Sequence, residues 1–106
     1  IKLYKYLSKE KKEFVLSKQL LRSGTSIGAN VNEVVSAQSK RDFVHKLSIA
    51  LKEAKETNYW LSLLKDSDYI KPGEFAAQHE ACNEIIKILT SIIITTKERY
   101  FTKNNS

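Results

Sequence analysis

Residues Arg22–Gln38, RSGTSIGANVNEVVSAQ, decide the fold. Leu20, Gly24, Ile27, Val31, Val34 and Val35 fall on one face of an ideal helix that ends at Gln38. Gly24 and Gly28 lie one turn apart within it, and each costs about 1 kcal/mol in a helix interior relative to alanine. Two glycines at that spacing predict close approach of another helix, because a missing Cβ lets backbones near each other. Ser23 and Asn30 flank the apolar face, while Arg22, Ser26, Ala29 and Glu33 point away. The stretch is expected to be one continuous helix.

Upstream, Leu3, Tyr4 and Leu7 have helical spacing, so Ile1–Leu7 reads as the tail of a first helix. Ile1 is not an initiator methionine, and that helix is expected to be truncated at its N-terminus. Ser8 can cap the second helix, Lys9–Glu13 reads as charged surface, and the irregular pattern before Leu20 predicts a turn or register change.

Downstream, Ser39-Lys-Arg-Asp42 is a capping-box arrangement with Asp in place of the usual Glu or Gln. It opens a helix predicted to run to about Lys65, with Phe43, Leu47, Ala50, Leu51, Ala54, Asn58 and Leu61 inward. A second apolar line, Ile49, Trp60 and Leu63 with Tyr59 beside it, lies on the opposite face. A monomeric bundle helix has a polar face there, so this line predicts an oligomer interface. After the polar connection Asp66–Lys71, Pro72 suits the first position of a final helix and Glu74 its N-terminal turn. Phe75, His79, Cys82, Ile86, Leu89, Ile93, Thr96 and Tyr100 form its heptad stripe, which Ile85, Ile88 and Ile92 widen toward a second neighbour. Thr102–Ser106 reads as a frayed tail. The fold expected is all-α, an antiparallel four-helix bundle in one domain over residues 1–106.

Composition excludes several classes. No run of about 18 apolar residues exists to span a membrane. Ile1–Leu7 is too short and too basic for a signal peptide. A single cysteine, Cys82, excludes an internal disulfide and fits a reducing compartment, so a cytoplasmic location is expected. The formal charge of +6 is moderate, with no dense basic run.

Chemistry has few footholds. A di-metal carboxylate site in a bundle needs inward glutamates and two Glu-x-x-His motifs. This chain has one Asp-x-x-His, Asp42 with His45, and His45 points away from the core stripe; His79 has no carboxylate three residues before it. His79 reads as a core-edge histidine and Cys82 as a small buried hydrophobe. No nucleophile elbow or phosphate-binding glycine loop is present. No catalytic residue, cofactor or metal is expected. The basic residues are dispersed: Lys9, Lys11, Lys12, Lys18 and Arg22 enter the second helix, Lys40, Arg41, Lys46, Lys52 and Lys55 decorate the third, and Lys97, Arg99 and Lys103 end the fourth. Such cations can neutralise phosphates without reading bases. They equally suit a solvated face diluted by Asp42, Glu53 and Glu56. Lys18, Arg22, Lys40 and Arg41 are the nucleic-acid contacts expected.

Gln19-Leu-Leu-Arg22-Ser23, then Ser26-Ile27-Gly-Ala29-Asn30-Val31-x-Glu33, resembles the four-helix-bundle family of 23S rRNA-intervening-sequence proteins. That family includes the accessory variability determinant of diversity-generating retroelements. The likeness continues through Ser39-Lys-x-x-Phe43, Leu47-Ser-Ile49-Ala50-Leu51-Lys-Glu53-Ala54, Glu56-Thr57 and Tyr59-Trp60-Leu61. The resemblance implies a barrel-like homopentamer without defined enzymatic activity. In some members it implies nucleic-acid binding through a basic surface. Two departures stand out: Leu21-Arg22 where the family often has two arginines, and Val34 where a glycine often follows the glutamate. The expected protein is a non-catalytic homo-oligomer holding RNA or DNA at Lys18, Arg22, Lys40 and Arg41, with Ile49, Tyr59, Trp60 and Leu63 at the subunit interface. The alternative is a scaffold whose partner is a protein, with no nucleic-acid role.

Overall fold

The computed structural model describes residues 1–9 and 13–102. Lys11, Lys12 and Lys103 lie outside that range, as does the expected tail from 103 onward. Four helices follow in order: α1 (Lys2–Lys9), α2 (Val15–Glu33), α3 (Lys40–Asp66) and α4 (Pro72–Lys97). No strand is present among the described residues. The helices run antiparallel in sequence order, in a slender body of 55 × 23 × 16 Å. α3 lies in the middle, with α2 on one side and α4 on the other, while α1 packs on the first half of α2.

α2 begins at Val15 because Glu13 caps it. The backbone amides of Val15, Leu16 and Ser17 donate to the Glu13 carboxylate at 3.1, 3.0 and 2.7 Å. Three otherwise unpaired amides of the first turn are thereby satisfied, and Glu13 is buried rather than part of a charged surface. Ser8 does not cap α2; its hydroxyl donates back to the Tyr4 carbonyl at 2.8 Å. α2 is continuous through both glycines but stops at Glu33, tightening into a 3₁₀ turn over Val34–Ser36 before Gln38 is reached.

The expected role of the glycines is overturned. A methyl group placed on Gly24 or Gly28 meets nothing within 4 Å. The α2–α3 seam is made instead by the fully buried Ser23 and by Ile27 packed with the fully buried Ala54. The hydroxyls of Ser23 and Thr57 lie 2.9 Å apart across that seam. The contact face of α2 is thus rotated from the expected one, and Val31 and Val35 are exposed, Val35 at 89%.

Ser39 caps α3 as expected, accepting from the Asp42 amide at 3.0 Å. The Asp42 carboxylate reaches past the cap and accepts from the Gln38 amide at 3.1 Å. The connection to α4 turns at Asp68, which takes a positive φ of 62°, a conformation that Asp tolerates better than most side chains. Pro72 opens α4 at its first turn.

Three apolar clusters run the length of the body. Leu7, Leu20, Leu61, Leu64 and Ile70 fill the end near the α3–α4 connection. Ile27, Ala54 and Cys82 meet in the middle, and Val44, Leu47, Ala50, Leu89 and Ile93 fill the far end. Val44 and Leu64 are core residues that the expected α3 stripe omits. On α4 the heptad positions Cys82, Leu89, Ile93 and Thr96 are buried, but Ile85, Ile88 and Ile92 are exposed. The widened stripe does not find a second long neighbour among the described residues.

Between α3 and α4 sits a closed polar ring. Asn58 Nδ2 donates to Asn83 Oδ1 at 2.8 Å. Asn58 Oδ1 lies 3.2 Å from His79 Nδ1, and Asn83 Nδ2 lies 3.1 Å from His79 Nε2. The direction of the first bond sets the other two: His79 donates from Nδ1 and accepts at Nε2. Phe75 stacks on the imidazole at 5.0 Å.

Candidate nucleic-acid interface

The four expected basic contacts do not converge. Arg22 is bound to carboxylates of α3: its Nη1 lies 3.2 Å from Glu53 and its Nη2 3.6 Å from Glu56. Its Nε also donates to Gln19 at 3.2 Å. With two glutamates beside it, Arg22 contributes no surplus positive potential. Lys18 is exposed one turn earlier on α2.

Lys40 and Arg41 lie elsewhere, at the start of α3 and about 20 Å along it from Glu53, at 1.5 Å per residue. The ammonium of Lys40 sits 4.7 Å from the centre of the Tyr100 ring and 5.8 Å from that of Phe43. The guanidinium of Arg41 lies 5.9 Å from the centre of Phe101. Neither cation pairs with a carboxylate among the described residues. The nearest acid in sequence, Asp42, is engaged by the Gln38 amide.

The rings come from a π-helical turn, Glu98–Thr102, that continues α4. Antiparallel pairing of α3 and α4 folds residues near 40 against residues near 100. Tyr100 is 41% exposed and Phe101 half-buried. Reading Tyr100 as the last core position of a heptad hides it. The available signal is reflection about the 66–71 connection, which sets Lys40 and Arg41 opposite Arg99–Phe101.

The hairpin of α3 and α4 is electrically polarised. Residues 34–52 carry four cationic side chains against one carboxylate, and residues 85–102 three against one. Residues 53–84 carry three lysines against seven carboxylates. The end with the α3–α4 connection is therefore acidic and the open end basic. Lys46 is partly neutralised by Glu33 at 3.2 Å, which leaves Lys40, Arg41 and Arg99 at the tip.

The expected subunit-interface residues are unequal. Tyr59 is 58% exposed and meets Trp60 edge-on at 5.1 Å. Trp60 packs against the Leu7 cluster of its own chain, and its indole N–H is buried without an acceptor among the described residues. Ile49 and Leu63 are partly buried. The exposed isoleucines of α4 are the apolar surface that the sequence pattern assigned to the core.

Among the described residues, no group of three or more His, Cys, Asp or Glu side chains is placed to hold a metal ion. His45 is exposed. Cys82 is buried, and its thiol donates to the Ala54 carbonyl at 3.0 Å. Desolvation pushes that thiol above its ordinary pKa, opposed only in part by a backbone hydrogen bond with Asn58. A thiol held protonated in this way is a packing group and not a nucleophile. A cleft of about 390 Å³ opens between α1, α2 and α4, lined by Leu3, Leu20, Gly24, Ile27 and Ile85 among others. No helix among the described residues is long and apolar enough to cross a membrane.

The sequence profile of the 23S rRNA-intervening sequence proteins matches residues 1–91. The chain belongs to that family. As a 23S rRNA-intervening sequence protein it is similar to a crystal structure from Bacteroides thetaiotaomicron VPI-5482, described as a protein of unknown function from the S23 ribosomal protein family. The two share 56% identity with a TM-score of 0.86, over 87% of this chain and 85% of that one. No curated protein matches the chain. The likeness to the Bacteroides protein carries the all-helical architecture with it.

Proposed function

We propose that this protein is a non-catalytic homo-oligomer that binds RNA or DNA through the basic open end of its α3–α4 hairpin. The observation that carries this is the contrast between its cations. Arg22 is spent on Glu53 and Glu56, whereas Lys40 and Arg41 have no carboxylate partner among the described residues and lie at a tip with surplus positive charge. Cations so placed can neutralise backbone phosphates. The exposed Tyr59 and the isoleucines of α4 support self-association, since apolar surface of this kind is covered in assemblies. By family resemblance the assembly is a pentamer, which would gather several basic tips on one particle. A lone cysteine, buried and free, fits a cytoplasmic setting.

Two measurements test this. Light scattering at micromolar concentration is expected to give a multiple of the protomer mass, reduced to one protomer in Tyr59→Asp; a stable wild-type monomer removes the assembly. Binding to mixed RNA and DNA is expected at low salt and to weaken as salt rises. Absent or salt-independent binding removes the nucleic-acid role. The same apolar surface favours a second reading, a scaffold with a protein partner. In that case a specific protein is recovered with it and no nucleic acid is carried along.

A further inference from the structure

The open end of the hairpin carries more than charge. Two consecutive cations at the start of α3 lie over two consecutive rings at the end of α4: Lys40 over Tyr100 and Arg41 over Phe101. Both cations belong to a first turn held by the Ser39 cap, so their backbone positions are fixed before any ligand arrives. Tyr100 is partly exposed, while the more buried Phe101 packs on the Val44 cluster and anchors the π-helical turn.

We propose that this end binds unpaired nucleotides, stacking a base on Tyr100 while Lys40 and Arg41 hold the adjoining phosphates. The proposal rests on the nucleic-acid reading above and names the class of ligand. Recognition of a duplex through its phosphates requires cations alone, and leaves an exposed ring with nothing to do. A ring beside a cation is instead the pairing that single-strand sites use, with stacking on the base and neutralisation of the backbone. Without ligand, the Lys40 ammonium covers the face of Tyr100. A phosphate draws the ammonium to itself and frees that face for the base. The exchange is favourable because an exposed cation–π pair is weaker than a base–aromatic stack. Every base has a π-face, so the site tolerates sequence.

Fluorescence anisotropy with labelled oligouridylate, oligothymidylate and a duplex of the same length tests the proposal. The wild-type protein is expected to bind either single strand more tightly than the duplex. Tyr100→Leu is expected to lower single-strand affinity about tenfold, leave duplex affinity unchanged, and keep the wild-type helical signal in circular dichroism. Tyr100→Phe, which retains the ring, is expected to bind as the wild type does. If Tyr100→Leu binds single strands normally while Lys40→Gln with Arg41→Gln weakens every ligand, the stacking proposal is overturned and the phosphate contacts stand. If the wild-type protein binds none of the three at low salt, the nucleic-acid reading itself falls.

Discussion

The two ends of the α3–α4 hairpin divide the work of the molecule. At the connection, Leu61, Leu64 and Ile70 are buried with Leu7 and Leu20. The nearby polar groups of Asn58, His79 and Asn83 close a ring in which each hydrogen bond has its donor and its acceptor. Acidic side chains dominate that half. At the open end the surplus is basic, aromatic rings remain partly exposed, and Lys40 and Arg41 lie over rings, with no carboxylate paired to them among the described residues. The two ends thus differ chiefly in charge: acidic groups surround the filled core at the connection, and surplus cations at the open end are left for a ligand's phosphates to neutralise.

The sharpest division is in stability. Leu64→Ala at the connection is expected to cost about 2–5 kcal/mol in urea unfolding, as large-to-small changes do in a filled core. Ile88→Ala, on the exposed face of α4, is expected to change protomer stability by less than about 0.5 kcal/mol. Equal losses would show that the isoleucines pack within their own chain.

Next is the polar ring. Asn83→Leu leaves His79 Nε2 and Asn58 Nδ2 without partners, and a loss of about 1–3 kcal/mol is expected. Nitrogen chemical shifts of the wild-type protein should identify the Nδ1–H tautomer of His79; the other tautomer would mean that the ring runs in the opposite direction.

Cys82 gives a smaller, pH-dependent effect. Its folded thiol holds its proton above the ordinary value while the unfolded thiol loses it, so above that value the native state binds more protons than the unfolded one. Stability is therefore full below the unfolded pKa, about 8.5, and falls as pH rises from there toward the raised folded value. The slope limit is about 1.4 kcal/mol per pH unit, and Cys82→Ala should flatten it. Unchanged slope in that variant would assign the pH dependence to other groups.

The glycines supply the smallest effect and one of opposite sign. With open space at both positions, Gly24→Ala and Gly28→Ala should each stabilise the protomer by up to about 1 kcal/mol. Destabilisation measured on the isolated protomer would restore the close helix contact that the sequence suggested. Loss of assembly with a more stable protomer would place that contact between chains.

Much of the fold is legible in residues whose effect is local. Ser39 with Asp42, Pro72, and the spacing of Leu47, Ala50, Ala54 and Leu61 each specify a cap, a start or a face within a few residues. What the sequence hides is set by neighbours. Glu13 reads as surface because its three bonds run to the next turn of backbone, and only the α1–α2 corner buries it. Gly24 and Gly28 suggest a tight seam, yet Ser23 and Ile27 make it, because the rotation of α2 depends on where Thr57 and Ala54 lie. Arg22 looks free until Glu53 and Glu56, more than thirty residues away in sequence, are brought beside it. Tyr100 looks like core until the chain reverses and sets Lys40 against it. Helix period shows which residues share a face, and not which face meets a given neighbour.

The salt dependence of single-strand binding tests most directly whether the two basic regions differ as described. For Lys40→Ala with Arg41→Ala, the slope of log K against log salt is expected to become shallower by about 1.4, at about 0.7 for each single-strand phosphate that a cation neutralises. Arg22→Ala, which removes a cation already held by two glutamates, is expected to leave the slope of the wild-type protein. A shallower slope in Arg22→Ala, with no change in the double variant, would contradict the account and move the nucleic-acid surface to α2.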